Sequence, residues 1–253
     1  MMILIDIYIL ILGLCLGSFY NVVGLRVLEG ESLISPPSHC PSCGRRLSFI
    51  DLVPVFSYAL LRGKCRTCHS RISPLYPFVE ASTGILFLLA FLFAPSLSDM
   101  VVGWLLISIL MIILVTDINK MMIPDKIMVF FFILFFIFRC FVRLEPWWDS
   151  LLGMGVGFGL LMLIFLVSRG KGMGGGDINL FAVMGLLVGT KMILLGFFFS
   201  TFYGALIGMI GMALGKFKRN KPLPFGPFIA LGMLTAYFFG ETLLDLYLDL
   251  FLW

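Results

Sequence analysis

Apolar runs long enough to cross a bilayer recur along the chain, separated by short polar or basic stretches. About 20 mostly apolar residues suffice for one crossing. Such runs cover Ile3 to Leu25, Tyr76 to Ala94, Met100 to Thr116, Ile127 to Val142, Leu151 to Val167 and Phe225 to Gly240. A further run, Ile178 to Gly215, is too long for one helix, and Gly189-Thr190-Lys191 offers a turn inside it. Division there predicts a short sixth helix and a long seventh. The expected fold class is an all-α polytopic membrane protein with about eight transmembrane helices.

Composition agrees. Only 13% of the 253 residues are charged and 60% are hydrophobic, whereas soluble domains carry about 25% charged residues. A soluble globular domain, a disordered chain and a small disulfide scaffold are excluded.

The basic residues supply a topology. Arg26, the insert that follows it, Lys120, Lys126, Arg169, Lys171, Lys216, Lys218, Arg219 and Lys221 fall on one side of the eight spans. Arg139, Arg143 and Lys191 fall on the other. This 15-to-3 division of the 18 Lys and Arg residues predicts cytoplasmic basic loops and both termini outside. The net charge of +4 thus reports orientation in a lipid bilayer, and no nucleic-acid partner is expected. The first apolar run exceeds the roughly 7–15 residues of a signal core, so it is expected to stay as a helix.

One polar insert is large. Between Arg26 and Pro74 lie Cys40-Pro41-Ser42-Cys43 and Cys65-Arg66-Thr67-Cys68. Two such knuckles can close a tetrahedral four-thiolate site, because each presents two sulfurs from one tight turn. A cytosolic setting argues against disulfides. Zn2+ on Cys40, Cys43, Cys65 and Cys68 is therefore expected, with Gly44 and Gly63 allowing the backbone to turn beside the knuckles. Four protein sulfurs leave no open position for chemistry, so the metal is read as structural. Cys68-His69 completes a haem-attachment string, but that chemistry belongs outside the cytoplasm and would leave the other knuckle unused. His39 and His69 are expected as exposed loop residues or substitute ligands, and Cys15 and Cys140 as small hydrophobes. The chain divides into residues 1–25, a first helix; 26–75, the four-cysteine loop; and 76–253, the remaining helices.

Two carboxylates sit at the membrane edge. Asp117 closes the third span, and Asp177 opens the sixth behind Gly174-Gly175-Gly176. The topology puts both on the cytoplasmic side, where they could converge; such acids commonly face a bundle interior or a wet cavity. Two close carboxylates share a proton, so one can activate water while the other polarises a scissile carbonyl. Helix position makes Asp177 the resting-state base. The plainer readings are an N-cap at Asp177, a polar stop at Asp117, an N-cap at Asp125 for the fourth helix, and a Glu80 facing the bundle or the cysteine loop. The glycines, including Gly170, Gly172, Gly174 and Gly176, permit a sharp bend or close backbone approach beside the acid.

Taken in order, these residues resemble the bacterial type IV prepilin leader peptidase/N-methyltransferase family, among the GxGD aspartic membrane peptidases. Gly17-Ser18-Phe19-Tyr20-Asn21 with Arg26 resembles its opening motif, and Ser38 to Gly44 with Leu61 to Cys68 its cysteine domain. Tyr76-Pro77 with Glu80, Asp117 with Ile123-Pro124-Asp125, Gly174 to Asp177, and Pro224 to Phe228 follow in family order. Asn179 stands where the family usually has Lys, and Val27 to Glu31 departs from its usual Pro and basic residue.

The resemblance implies Asp117 and Asp177 as catalytic carboxylates in a peptidase domain over 76–253, and a methyltransferase-associated loop over 26–75. It also implies a bacterial inner-membrane enzyme that cuts prepilin or pseudopilin precursors after a Gly on the cytoplasmic side. S-adenosylmethionine would then methylate the new N-terminus, although no glycine-rich signature for that donor is visible. The residues alone would equally suit a transporter with the Asp pair as a proton or cation relay; the family pattern favours the peptidase.

Overall fold

The computed structural model describes residues 2–170, 174–215 and 223–251. Lys171, Gly172, Lys216, Lys218, Arg219 and Lys221 lie outside the described residues. Two units, residues 1–119 and 120–253, each have their own packing.

The first unit contains α1 (Met2–Glu29), a 3-10 turn (Phe49–Leu52), the short α2 (Phe56–Leu60), α3 (Leu75–Phe93) and α4 (Leu97–Lys120). Its long helices are apolar nearly all round, as lipid-embedded helices must be. α1 and α3 run antiparallel at close range. A methyl group on Gly17 would lie 2.8 Å from the Glu80 Cα, and one on Gly13 would lie 2.8 Å from the Gly84 Cα. Small residues four apart allow this approach, and dispersion rather than water expulsion then holds the pair. The Asn21 side chain donates to the Tyr76 carbonyl at 3.2 Å, fixing the register. α4 joins through a 2.6 Å hydrogen bond between the Tyr20 and Ser108 hydroxyls. Trp104 also donates its indole N–H to the Phe87 carbonyl at 3.0 Å and stacks on the Phe87 ring.

The second unit contains α5 (Asp125–Phe141), α6 (Asp149–Val167), α7 (Gly175–Ala213) and α8 (Gly226–Phe251). The 39 residues of α7 are not one rod. Gly189 has φ 80° and ψ 179° in its middle, and the Phe181 and Phe197 rings on either side meet at 6.1 Å. Gly157 of α6 touches both Phe181 and Ile193. The chain therefore folds back at Gly189 into two arms, 175–188 and 190–213. α6 packs against the arms through Gly153, whose missing side chain leaves room for the backbone of Gly185 and Gly189. α8 packs on the second arm, with Met233 over Gly196 and the Tyr203 and Thr235 hydroxyls 3.2 Å apart.

Among the described residues, six helices are long and apolar enough to cross a membrane, counting α7 once. The two arms of α7 and the 17-residue α5 bring the number to the eight expected. The break falls at the first residue of the anticipated turn.

Three helix-end expectations change. Pro124 rather than Asp125 is the N-cap of α5; Asp125 is the first helical residue, where its charge still suits the dipole. Asp117 does not stop its helix, because α4 continues to Lys120. Asp177 is the third helical residue of α7, with Gly174 as N-cap.

Candidate functional site

In the cysteine insert the two knuckles are copies of one another at an offset of 25 residues. Cys40 N–H bonds to the Arg45 carbonyl at 2.9 Å, as Cys65 N–H does to Ser70. Gly44 N–H returns to the Cys40 carbonyl at 2.8 Å, and His69 N–H to Cys65 at 3.1 Å. Isolated antiparallel bridges, His39 with Arg46 and Lys64 with Arg71, close the two turns. The expected left-handed glycines are there, Gly44 and Gly63 both at φ 68°. In the second knuckle, however, His69 (φ 55°) takes the place that Gly44 holds in the first. His69 is thus an exposed turn residue.

The four sulfurs of Cys40, Cys43, Cys65 and Cys68 lie within 4.8 Å of one another and can hold a metal ion. The donor set fits zinc in size. A tetrahedron with Zn–S of about 2.3 Å has edges of about 3.8 Å, and the Cys40 and Cys68 sulfurs are 3.8 Å apart. The backbone N–H groups of Ser42 and Cys43, with the Ser70 hydroxyl, lower the Cys40 thiol to about 6. At Cys43 the Arg45 N–H works in the lowering direction, but burial and the other thiols push it to about 11. Protons crowded among neighbouring sulfurs in this way are what a dication displaces.

Sequence reasoning missed the residue that joins the knuckles. Asp51, with a side chain only 4% exposed, receives Arg45 of the first knuckle at 2.7 Å and Arg66 of the second at 3.0 Å. Arg45 also reaches Thr67 across the site at 3.2 Å. The Ser48 backbone N–H and hydroxyl, followed by the two guanidinium groups, hold the Asp51 carboxyl below the usual carboxylate range. One acid among many Arg residues gives no sequence signal of its own; only the fold selects it.

Glu80 faces the cysteine loop, one of the two options left open for it. Buried in the second turn of α3, it accepts the Val55 backbone N–H at 2.8 Å and also interacts with Ser18 of α1. Val55 is held at φ 62°, a conformation in which a β-branched residue is an outlier.

The two candidate catalytic carboxylates sit in different units. Asp117, 6% exposed, lies in the last turn of α4, on a helix buried over most of its length. Asp177, 8% exposed, lies in the first turn of α7, and its carboxylate accepts the Gly174 N–H at 3.2 Å. The capping expected of Asp177 is therefore real but comes from the third helical position. A side chain at Gly176 would meet Ile123 at 2.8 Å, so the glycine brings the start of α7 against the segment before α5. Asn179 is exposed. Near the C-terminal end of α4, a cavity of about 60 Å³ is lined by Asn21, Leu25, Ser73, Leu75, Tyr76, Val115 and Asn119. That volume admits a few waters.

Comparison with known proteins places these features. The Bacterial Peptidase A24 N-terminal domain matches residues 11–94, and the Type IV leader peptidase family matches residues 104–209. The prepilin leader peptidase/N-methyltransferase of Bacillus subtilis (strain 168) is 41% identical over 95% of this chain and 96% of its own. Proteins of the same name from Pseudomonas putida and Aeromonas hydrophila are 32% and 29% identical, over 92% and 96% of this chain and 90% and 94% of theirs. A search of solved structures finds no match. With its cysteine insert, multi-pass helices and near end-to-end likeness to these enzymes, the chain belongs to the prepilin leader peptidase/N-methyltransferase family.

Proposed function

We propose that the chain matures prepilin-like precursors. It removes a basic leader by cutting after a Gly at the cytoplasmic face of the bacterial inner membrane, then methylates the new N-terminal residue. The observation that carries this reading is the near end-to-end match to prepilin leader peptidase/N-methyltransferases, with Asp177 buried behind its glycines at a helix start. A proton- or cation-relay role would leave that match unexplained.

In this proposal Asp117 and Asp177 act on one peptide bond. Asp177 takes a proton from water, which attacks the scissile carbonyl, while Asp117 donates a proton to the carbonyl oxygen. Collapse of the tetrahedral intermediate returns a proton to the leaving amine. Gly174 and Gly176 support the catalytic loop: Gly174 N–H orients the Asp177 carboxylate, and Gly176 lets the start of α7 close against Ile123. The peptidase part is residues 76–253, with residues 1–25 as first helix and 26–75 as the methyltransferase-associated insert. Zinc on Cys40, Cys43, Cys65 and Cys68 stabilises the insert. S-adenosylmethionine would supply the methyl group when bound, and the cavity beside Asn21, about 60 Å³, is too small to hold it.

The test uses the purified chain in bilayers with a precursor whose basic leader ends in Gly-Phe, followed by mass. The intact chain is expected to cut after Gly. Asp117→Asn and Asp177→Asn should each lose about 10²–10⁴-fold in rate or more. Cleavage that survives both changes would refute the dyad.

A further inference from the structure

The cysteine insert is tied to the side of α3 and carries large apolar side chains that are exposed. Val55 is tied to Glu80, five residues beyond the start of α3, or about 7 Å along its axis. On α1 the same level is Gly17, twelve residues, or about 18 Å, short of the end of that helix at Glu29. The N-terminus of α2 therefore lies beside lipid-spanning helices, below the level at which α3 begins. Around it, Phe49 is 93% exposed and Leu60 80%, and Ile50 and Phe56 are exposed as well. Arg62 and Lys64, both exposed, follow α2 directly. In water such a cluster is a liability.

We propose that the segment from Phe49 to Lys64 is a membrane-surface element. Phe49, Ile50, Phe56 and Leu60 enter the acyl boundary of the leaflet beside the N-terminal end of α3, and Arg62 and Lys64 bind anionic lipid headgroups. Measured from the first residue of α3, the distance of about 7 Å to Glu80 falls within the roughly 5–10 Å at which interfacial helices bury their apolar faces. Cationic side chains at the edge of an apolar patch are the complement of an anionic leaflet. The insert is thus half in lipid, and its knuckles are held against the membrane.

The full chain tests this, with a photoreactive phenylalanine replacing Phe49 or Leu60 in turn. It is reconstituted without precursor into vesicles of phosphatidylcholine mixed with phosphatidylglycerol, or of phosphatidylcholine alone. The same probe at the exposed Phe93 of α3 is the positive control. Both insert positions should form lipid adducts on illumination. Yields should fall several-fold in the uncharged vesicles and in the Arg62→Gln/Lys64→Gln variant. Lipid adducts at Phe93 but not at Phe49 or Leu60 would overturn the proposal. So would adducts that appear only with an added precursor peptide, which would make the patch a peptide surface. Equal yields in both vesicle types would overturn the anionic-lipid part.

Discussion

Phe181 and Phe197 are sixteen residues apart in one continuous helical run, yet their rings meet at 6.1 Å, where a straight helix would separate them by about 24 Å. Gly189 makes this possible, and two constraints act on it. Its φ of 80° disfavours any side chain, and an added Cβ would collide with the Asp149 carboxylate. Gly189→Ala should therefore destabilise the chain by about 1–3 kcal/mol from backbone strain alone. A lower unfolding midpoint in detergent would register it; an unchanged midpoint would mean that the turn lies elsewhere.

The same turn has a cap on each side. Asp149 accepts the Thr190 N–H at 3.1 Å, at the start of the second arm, and the Arg139 guanidinium donates to the Leu187 carbonyl at the end of the first. Each charge has the sign that the adjoining helix end favours. Asp149→Ala should remove about 0.5–2 kcal/mol of stability. Arg139→Lys should not substitute for arginine, since a single ammonium cannot reproduce the fork on Leu187 and Val142. Thermal melts of the two variants would show both effects.

Metal retention should depend on Asp51. Asp51→Asn weakens the bridge between knuckles while leaving all four sulfurs in place, so loss of bound zinc to a chelator should accelerate by about 10–100-fold. The pH dependence has a definite sign. The folded carboxyl lies below its unfolded value, so its contribution is complete above about pH 4 and disappears only as pH falls through the folded value. The ratio of native to Asp51→Asn release rates should accordingly stay flat from neutral pH down to about pH 5. A ratio that collapses within that window would place the effect outside the carboxylate.

Glu80→Leu should loosen the insert without touching its metal ligands. It removes the acceptor that holds Val55 in its left-handed conformation. Limited proteolysis in bilayers should then cut between Phe49 and Lys64 several times faster, while zinc content remains at the native level. Simultaneous zinc loss would show that the two ends of the insert are not independent.

Much of this was readable from the chain. The apolar runs identify the spans, the knuckle spacing identifies the sulfur cluster, and Gly189 stands at the turn, because each depends on local pattern or on a residue with unusual backbone freedom. Asp51, Asp149 and Arg139 carry no sequence signal of their structural ties, since their partners lie in other turns or helices and nothing in their sequence neighbourhood selects them. Asp125 sits one position inside the helix it is expected to cap, because Pro124 takes the N-cap position. The plainer reading of Asp117, a helix stop, rests on the polar Asn119 and Lys120 that follow it, whereas α4 keeps its hydrogen bonding through to Lys120.

The repeat of the two knuckles bears on how much the length of the insert can vary. Each knuckle closes on itself through its own bridge and backbone bonds, so nothing within either one fixes the number of residues between them. That number is constrained by Asp51 and Val55, which fasten the stretch to the metal site and to α3. Extra residues between those two positions would set one fastening against the other. Between Glu31 and Ser35, ahead of the first knuckle, the chain is exposed, but the buried Arg26 donates to the carbonyls of Ser32 and Pro36 at 2.9 and 2.6 Å, so added residues there would strain that clamp instead.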